Sequence, residues 1–353
     1  MAKDKSNTVA NTTESDGSFI SEMVSTIRKS YSDIITDSNV KSISTHFKLY
    51  NKIIGGIPIG RMIMLQALEG VGKSSLMVQL AADVQKLGYP IIYLDTESAM
   101  STQRFSQLGL DISNKQVIYL QPSSLQQVFN LIQDVIKTKV AKAGVESPAF
   151  IIWDSIAATP AEEELKMDEV TGVEVGIRAR ILSQGLRVIT NLLARSNVSL
   201  LTVNQYRMKM ATGPMQSWGG PSYTTPGGLA PRFNAYQIIE LKDSTKFNDE
   251  EEDALGKLVK FKAIKNKMKS PLVEFSMYYT YDHGFDDPLS MFYYLKENKF
   301  LISAGPRWHL QNLPDVNFYK KEFADVYNTD SKFIAAVDEI LNSGDAVNEV
   351  HQV

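Results

Sequence analysis

A short glycine-containing segment near residue 70 carries the residue types that hold a phosphate group. An apolar run over 62–65 precedes it, and apolar side chains at helical spacing follow it. A strand that turns through Gly70 and Gly72 into a helix points backbone N–H groups outward, where the helix dipole favours an anion. Lys73 adds a charge for β- and γ-phosphates, and the Ser74 hydroxyl suits Mg²⁺. An ordinary strand–helix turn is the alternative. The pattern predicts an ATP or GTP site formed by Glu69, Gly70, Val71, Gly72, Lys73, Ser74 and Ser75.

Two carboxylates follow predicted strands further along the chain. Asp154 ends the apolar run over 149–154, and the carboxyl end of a buried parallel strand faces the ligand crevice of open α/β sheets. Such an aspartate holds Mg²⁺ through water beside a phosphate loop, although it could also cap the following turn. Glu97 comes just after the strand over 90–95, where it could orient or deprotonate the attacking water, or simply be an exposed strand-end residue. We therefore expect ATP and Mg²⁺ as cofactors, with Lys73 and Glu97 catalytic and Ser74 and Asp154 at the metal.

The composition is that of a globular protein with one large domain and smaller appendages. Of the 353 residues 43% are hydrophobic and 22% are charged, and 37 basic against 40 acidic residues leave a net charge of −3. This balance neither indicates nor excludes nucleic acid, because a binding surface needs only local basicity. The absence of cysteine excludes disulfides, thiolate metal sites and cysteine nucleophiles. No apolar run approaches the ~20 residues that span a bilayer, and the first residues lack the apolar segment of a secretory signal. We expect a cytoplasmic protein without membrane contact.

From about residue 50, short apolar strands alternate with helices. The predicted strands are 62–67, 90–95, 117–121, 149–154 and 198–204, and the predicted helices lie near 74–87, 101–108, 124–139 and 174–195. This alternation indicates the α/β class, with a mostly parallel central sheet covered on both faces. Three later strands, 236–241, 258–264 and 272–281, have no helices between them and predict antiparallel additions at one edge.

Three parts are predicted along the chain. Residues 1–40 are a polar, disordered arm followed by an amphipathic helix whose apolar stripe runs from Ile20 to Ile34. That helix could contact a second subunit or pack on its own chain. Residues 41–285 form the core with the phosphate site, and residues 286–353 form a small C-terminal domain.

Basic residues of the predicted core are concentrated in three segments. Arg180 and Arg187 are seven residues apart on the 174–195 helix and share a face, opposite an apolar stripe expected to pack on the sheet, namely Ile177, Ile181, Leu182, Val188 and Leu192. Arg207 and Lys209 begin a glycine- and proline-rich segment, 206–229, whose length is typical of a functional or a disordered loop. The third segment holds six lysines between 257 and 269. Some of these belong to a solvated strand face, but like charges held together repel unless an anion lies between them.

With these motifs in order, the chain resembles the RecA recombinase family, and its compact N-terminal part resembles the phage UvsX branch. Tyr93–Glu97 resembles the strand with the family's catalytic glutamate, and Ile152–Ala158 resembles the strand with its magnesium aspartate. Residues 201–209 resemble the strand whose terminal glutamine senses the γ-phosphate, here Gln205. Three further segments match in order: the DNA-side helix at 176–184, the glycine pair of the second DNA loop at 226–230, and the lysine pair at 265–267.

This resemblance implies a RecA-like phosphate-loop ATPase core. It implies a DNA-dependent ATPase that forms helical nucleoprotein filaments on single-stranded DNA, pairs them with homologous duplex DNA and exchanges strands in recombination and repair. The implied roles are catalysis for Gln205, ATP binding in trans for Lys265 and Lys267, and DNA binding for Arg180, Arg187, Arg207, Lys209, Gly227 and Gly228.

The resemblance also sets expectations about the nucleotide base and the partners. Arg104 stands where bacterial members carry an aromatic residue near the adenine, and we expect its guanidinium to stack on the base. Loader and single-strand-binding proteins are the implied partners, and a phage protein would act in the cytoplasm of its bacterial host.

Two other functions remain open at this point. A hexameric helicase or motor on the same fold needs the same phosphate loop, catalytic glutamate and trans-acting cations, but it forms closed rings. A mediator that binds ATP and DNA without hydrolysis has no need of Lys73, Glu97 and Asp154 together.

Overall fold

The computed structural model describes residues 13–30, 39–98, 100–166, 176–208, 223–247 and 256–343. The chain divides into two compact units, residues 1–40 and residues 41–353. In the first unit α1 spans Thr13–Ser30, so the helix begins earlier than the predicted apolar stripe. The stripe residues Ile20, Met23, Val24 and Ile27 are exposed, whereas Tyr31 and Ile34 lie outside the described residues.

The second unit begins with short elements and continues as alternating strands and helices. Its first part contains β1 (Ser42–Ile43), α2 (Lys48–Ile54), β2 (Ile57–Pro58), β3 (Met62–Ala67), α3 (Lys73–Lys86), β4 (Ile91–Asp95), α4 (Thr102–Gln107), β5 (Val117–Leu120), α5 (Leu125–Ala143), β6 (Ala149–Asp154), α6 (Glu162–Leu165), α7 (Ile177–Ser196) and β7 (Val198–Gln205). Its second part contains β8 (Arg207–Met208), β9 (Tyr223–Thr224), α8 (Ala230–Asn234), β10 (Gln237–Phe247), β11 (Gly256–Asn266), β12 (Glu274–Thr280), β13 (Gly284–Asp286), α9 (Asp287–Glu297), β14 (Leu301–Ala304), β15 (Arg307–Leu310), β16 (Leu313–Tyr319), a 3₁₀ turn (Lys320–Glu322), α10 (Phe323–Thr329) and α11 (Ser331–Asn342).

A nine-stranded sheet in the order β13-β12-β11-β10-β3-β7-β6-β4-β5 forms the centre of this unit. The six strands from β10 to β5 run parallel, and the other three are antiparallel additions at one edge. The predicted α/β class with a mostly parallel sheet is confirmed. One detail differs: β10 was expected among the antiparallel additions, but it pairs parallel with β3. The residues before β10, including α8, return the chain to the edge where the parallel strands begin, so β10 runs in the same direction as β3.

The faces of the sheet are covered by different helices. Every side chain of β3, β4 and β6 is buried, as expected for strands that are apolar throughout. On one face, α3 contributes Leu76 and Leu80 to a large hydrophobic cluster. On the other face, α5 and α7 contribute to a second cluster. The carboxyl ends of β3, β4, β6 and β7 therefore meet at one edge of a rigid sheet, where loops are free to bind a ligand.

The buried face of α7 differs from the predicted one. Its buried apolar residues are Leu182, Leu186, Ile189 and Leu193, with spacings of four, three and four. The prediction was wrong for Val188, which is 48% exposed, and right for Leu182. Two other predicted residues, Ile181 and Leu192, are half-buried and pack against the same cluster. Two apolar stripes lie side by side on this helix, and the periodicity alone did not select the one that faces the sheet.

The C-terminal segment adds α9, a three-stranded antiparallel sheet of β14, β15 and β16, and two further helices. Its Phe292, Phe318 and Phe333 belong to the same hydrophobic cluster as the side chains of α3. The domain limits drawn from the sequence, 1–40, 41–285 and 286–353, remain predictions. Within the described ranges, no helix is both long enough and apolar enough to cross a bilayer.

Candidate functional site

The turn between β3 and α3 is shaped by two glycines in the left-handed region. Gly70 has φ 74° and Gly72 has φ 100°, conformations that side-chain-bearing residues rarely adopt. A Cβ on Gly72 would also lie 3.0 Å from the Tyr279 ring. None of the described side chains caps the N-terminus of α3. The turn thus presents backbone N–H groups at a helix start, the arrangement that suits an anion.

Lys73, the first residue of α3, is only 6% exposed. Its Nζ donates to the Leu68 carbonyl oxygen at 2.5 Å, across the turn. Burial lowers the pKa of the Lys73 ammonium, although the carboxylates of Asp154 and Glu97 act in the opposite direction. A buried ammonium that faces two carboxylates across a glycine turn is well placed to meet phosphate oxygens.

A second lysine approaches the same turn, and sequence reasoning missed it. Lys257 of β11 donates from Nζ to the Gly70 carbonyl oxygen, forms a 3.0 Å ion pair with Asp243 Oδ1, and lies 5.6 Å from the centre of the Tyr279 ring. In the sequence Lys257 is one of six lysines without distinction. The sequence does not show that Lys257 is buried beside Gly70, whereas Lys260 and Lys262 pair with Glu274 instead.

Asp154 closes the opposite side of the phosphate turn. Burial raises its pKa to about 6, while hydrogen bonds with Ser74 and Tyr93 act to lower it. The Tyr93 hydroxyl donates to Asp154 Oδ2 at 3.1 Å, and Oδ1 is a buried acceptor without a hydrogen-bond partner among the described residues. Asp154 and Ser74, predicted to share a metal, therefore lie near each other.

These atoms fit a hydrated magnesium ion. Among the described residues no group of three or more histidine or acidic side chains could hold a metal by itself. A hydroxyl, one carboxylate and the phosphates of a nucleotide are the donors that Mg²⁺ uses in such sites, the remaining ligands being water. The orphaned Oδ1 of Asp154 is the acceptor that a metal-bound water would satisfy.

Glu97 lies beside Asp154 and contacts two neighbours through one oxygen. Its Oε1 accepts a hydrogen bond from the Ser155 hydroxyl and a 2.6 Å hydrogen bond from Gln205 Nε2. Gln205 is the last residue of β7, and Glu97 follows β4, with β6 between these two strands. The sheet thus brings the predicted base and the predicted γ-phosphate sensor into direct contact.

Arg104 contacts protein groups in this structure. Its guanidinium donates to the Asp282 carbonyl oxygen at 2.7 Å and to the Tyr279 hydroxyl at 3.4 Å. Tyr279 also hydrogen-bonds Ser75 at 3.1 Å. Tyr279 of β12 therefore connects Ser75, near the start of α3, with Arg104 of α4. The stacking of Arg104 on a nucleotide base stays a prediction.

Two of the predicted DNA residues lie on α7. Arg180 and Arg187 are both exposed on α7, whereas Arg178 donates to the Ile156 and Ala157 carbonyl oxygens at 2.6 and 2.8 Å. The resemblance to the RecA family also predicts a first DNA loop at 162–172, and residues 167–175, which include its end, lie outside the described residues. Arg178 links α7 to the segment directly after Asp154.

The predicted second DNA loop leaves β7 one residue after Gln205. Arg207 lies in β8, which pairs with β9, and Lys209 lies outside the described residues. Gly227 and Gly228 have φ of 88° and 66°. Just before them, the Pro226 carbonyl oxygen accepts a 3.2 Å hydrogen bond from Asn204, so both ends of the loop are tied to the end of β7.

The two lysines predicted to act in trans lie at the end of β11 and just beyond it. Lys265 donates to the Arg232 and Phe233 carbonyl oxygens at 3.0 Å each, and Lys267 lies 5.6 Å from the centre of the Tyr236 ring. Burial lowers the pKa of the Lys265 ammonium, and Lys267 lowers it further. The pair is thus in mutual repulsion in a single protomer.

The residues of this site lie within the part of the chain that matches a known protein family. A model of the RecA N-terminal domain matches residues 23–286. The chain belongs to the RecA family. Among its relatives, Protein RecA of Sulfurimonas denitrificans is 33% identical over 218 residues, 62% of this chain and 59% of that protein. Protein RecA of Wolinella succinogenes is 29% identical over 306 residues, 84% of this chain and 83% of that protein.

These findings confirm the predicted family, the fold class and, at the level of the family, the predicted type of activity, a RecA-type recombinase with ATP hydrolysis. The relatives reported above are bacterial proteins, and the UvsX-like phage branch was not confirmed by them.

Proposed function

We propose that this protein is a DNA-dependent ATPase that assembles as a helical filament on single-stranded DNA, pairs it with homologous duplex DNA and exchanges strands. The observation that carries the proposal is the 2.6 Å hydrogen bond between Gln205 and Glu97. It joins the residue predicted to orient the attacking water to the strand end from which the predicted second DNA loop departs. Binding of nucleotide beside Glu97 then changes the geometry of the second DNA loop, and binding of DNA to that loop changes the geometry around Glu97.

In this proposal the phosphate turn holds the triphosphate. Residues 69–75 surround the phosphates, with the Lys73 ammonium on the β- and γ-phosphates and the Arg104 guanidinium toward the base. Ser74 and Asp154 hold Mg²⁺, which neutralises phosphate charge when bound. Glu97 accepts a proton from the attacking water as the new bond to the γ-phosphorus forms and the bond to the bridging oxygen of ADP breaks.

Gln205 couples this chemistry to DNA. When the γ-phosphate is present, the Gln205 amide turns from Glu97 to a phosphate oxygen, and the chain after β7 follows because Gln205 and Arg207 are only two residues apart. DNA bound by Arg207, Lys209, Gly227 and Gly228 on that loop, and by Arg180 and Arg187 on α7, favours the same position of Gln205. Coupling of this kind is reciprocal: ATP strengthens DNA binding, and DNA accelerates hydrolysis.

Assembly depends on the nucleotide through Lys265 and Lys267. Their repulsion within one protomer falls when the triphosphate of a neighbouring subunit lies between them, and ADP supplies less negative charge. The exposed apolar stripe of α1 supports a further contact with a second subunit. A filament built in this way coats DNA only while ATP is bound.

The cellular setting is also part of the proposal. We place the protein in the phage UvsX-like branch, acting in the cytoplasm of a bacterial host, with loader and single-strand-binding proteins as partners. The chain without cysteine is suited to that reducing compartment.

The deciding experiment measures phosphate release and particle shape together. Purified protein with Mg²⁺ and ATP is assayed with and without a homopolymeric single strand, and the same mixture with a slowly hydrolysed ATP analogue is imaged by electron microscopy. We expect faster release with DNA and open helical filaments. Closed rings would replace the proposal with a motor, and DNA-independent release would remove the coupling.

A further inference from the structure

Two tyrosines on neighbouring parallel strands lie directly behind the carboxylates of the site. Tyr93 of β4 and Tyr119 of β5 are register partners, and their rings stack with centroids 6.0 Å apart. The buried ring of Phe105 meets both edge-on, at 5.1 Å from Tyr93 and 5.7 Å from Tyr119. The three rings form a rigid aromatic support, so their polar tips have little freedom to move.

Each hydroxyl of this pair donates to a different carboxylate. Tyr93 donates to Asp154 Oδ2 at 3.1 Å, and Tyr119 donates to Asp95 Oδ2 at 2.6 Å. Asp95 and Asp154 are themselves register partners on β4 and β6. The two tyrosines therefore constrain two adjacent carboxylates from the same side of the sheet.

Asp95 and Asp154 in turn position the groups expected to contact the attacking water and the metal ion. Asp95 Oδ1 accepts hydrogen bonds from the backbone N–H groups of Glu97 at 3.0 Å and Ser98 at 2.8 Å, and so fixes the turn that carries the Glu97 carboxylate. With Oδ2 of Asp154 held by Tyr93, the unpartnered Oδ1 is the oxygen left for the ion.

From this geometry we propose that Tyr93 and Tyr119 are positioning residues with separate tasks. Tyr93 orients Asp154 toward Mg²⁺, and Tyr119, through Asp95, orients Glu97 toward the attacking water. This inference rests on the proposed nucleotide site, but it gives Tyr93 and Tyr119 roles that neither the phosphate motif nor the family match assigns.

The titration behaviour of both phenols agrees with donor roles. Burial raises the pKa of Tyr119 to about 12, and burial also raises that of Tyr93 well above its ordinary value. Both hydroxyls stay protonated at neutral pH and act as donors to the carboxylates. Removal of an outer-shell donor of this type lowers metal affinity by about 10- to 100-fold in known metal sites.

The test replaces each hydroxyl by hydrogen, in Tyr93→Phe and Tyr119→Phe, with Tyr50→Phe as the matched control. The Tyr50 hydroxyl is buried and has no hydrogen-bond partner in the described part of the chain, so this control removes a buried oxygen and no observed carboxylate contact. Binding of a fluorescent ATP analogue is measured over a Mg²⁺ titration and in EDTA, thermal unfolding is measured without nucleotide, and kcat is measured at saturating Mg²⁺ and ATP.

We expect Tyr93→Phe to raise the Mg²⁺ concentration for half-maximal analogue binding about 10-fold and to leave binding in EDTA unchanged. Tyr119→Phe should leave both binding values unchanged and lower kcat several-fold. Equal loss of binding with and without Mg²⁺ in Tyr93→Phe overturns its assigned task. A Tyr119→Phe variant with the kcat of Tyr50→Phe overturns the other.

These outcomes are distinct from failure of the proposed function. If the unchanged protein shows no DNA-stimulated hydrolysis, the recombinase proposal fails, yet the Mg²⁺ titration still tests Tyr93 by binding alone. If Tyr93→Phe does not fold, which the thermal measurement reveals, the kcat of Tyr119→Phe still tests the task assigned to Tyr119.

Discussion

Gln205 Nε2 donates a 2.6 Å hydrogen bond to Glu97 Oε1, although the two residues are separated by 108 positions in the chain. Gln205 ends a strand and Glu97 follows another, with β6 between the two strands. Glu97 Oε1 accepts this bond and a second one from the Ser155 hydroxyl, so both lone pairs of that oxygen are already in use. In this structure the predicted γ-phosphate sensor is therefore hydrogen-bonded to the predicted base.

Gln205→Ala tests whether this contact transmits the DNA signal. We expect ATP binding to persist and the stimulation of hydrolysis by single-stranded DNA to fall about 10- to 100-fold, because a hydrogen bond to a charged group is worth about 1.5–3 kcal/mol. Phosphate release with and without DNA measures the ratio. Gln311→Ala, an exposed position in the C-terminal segment, is the control. Full stimulation in Gln205→Ala would show that the signal takes another route.

Lys73→Ala should abolish ATP binding. The change removes a 6% exposed ammonium from the phosphate turn, and no other residue of α3 supplies a charge there. Isothermal titration with ATP and Mg²⁺ measures the affinity. Lys86→Ala makes the same chemical change at the other end of α3, where the side chain is 68% exposed, and should bind ATP normally. Retained affinity in Lys73→Ala would place the phosphates elsewhere.

Glu97→Gln should keep ATP binding and stop turnover. The amide is nearly isosteric with the carboxylate but cannot take a proton from water, and loss of a general base costs about 10²- to 10⁴-fold in rate. Single-turnover phosphate release at saturating ATP measures the effect. Glu146→Gln, on the exposed loop before β6, is the matched control. A rate within a few-fold of the unchanged protein would mean that another group orients the water.

The sequence predicted the elements of the sheet better than the contacts around its edge. Strands such as β3 and β6 were predicted to the residue, because apolar runs bounded by polar residues leave little choice of limits. The residues Lys73, Glu97, Asp154 and Gln205 were also predicted and lie at one edge. Their contact follows from strand order, in which β6 lies between β4 and β7, and no local pattern contains that order.

Other features could not be predicted, for identifiable physical reasons. Lys257 looks like its neighbours Lys260 and Lys262 in the sequence, and only burial beside Gly70 separates them. On α7, Val188 belongs to an apolar stripe that competes with the buried one, and the choice is made by the sheet below. The hydroxyls of Tyr93 and Tyr119 gain their partners from adjacent strands, which become neighbours only on folding.

Gly227→Ala and Gly228→Ala separate backbone strain from packing at the end of the second loop. Both residues have positive φ, which costs a non-glycine residue roughly 1–2 kcal/mol. A Cβ at Gly227 would also lie 2.9 Å from Leu182 Cδ1, whereas no atom of the described residues lies within 4 Å of one at Gly228. Gly227→Ala should therefore lower the unfolding midpoint more than Gly228→Ala in a calorimetric scan. Equal midpoints would mean that Leu182 moves aside without cost.

The double change Lys265→Ala and Lys267→Ala should prevent assembly while leaving a folded protomer that binds ATP. Lys265 is held by two carbonyl oxygens at 3.0 Å, so its charge is fixed close to Lys267, and the pair gains most when a neighbour's triphosphate reduces the repulsion. Light scattering with single-stranded DNA and a slowly hydrolysed ATP analogue measures filament growth. Lys260→Ala is the control, because Lys260 also lies on β11 but its ammonium pairs with Glu274 of β12 at 2.8 Å. This variant loses a positive charge, keeps Lys265 and Lys267, and should grow filaments normally. If the double variant grows them as well, the nucleotide-dependent contact between subunits is made by other residues.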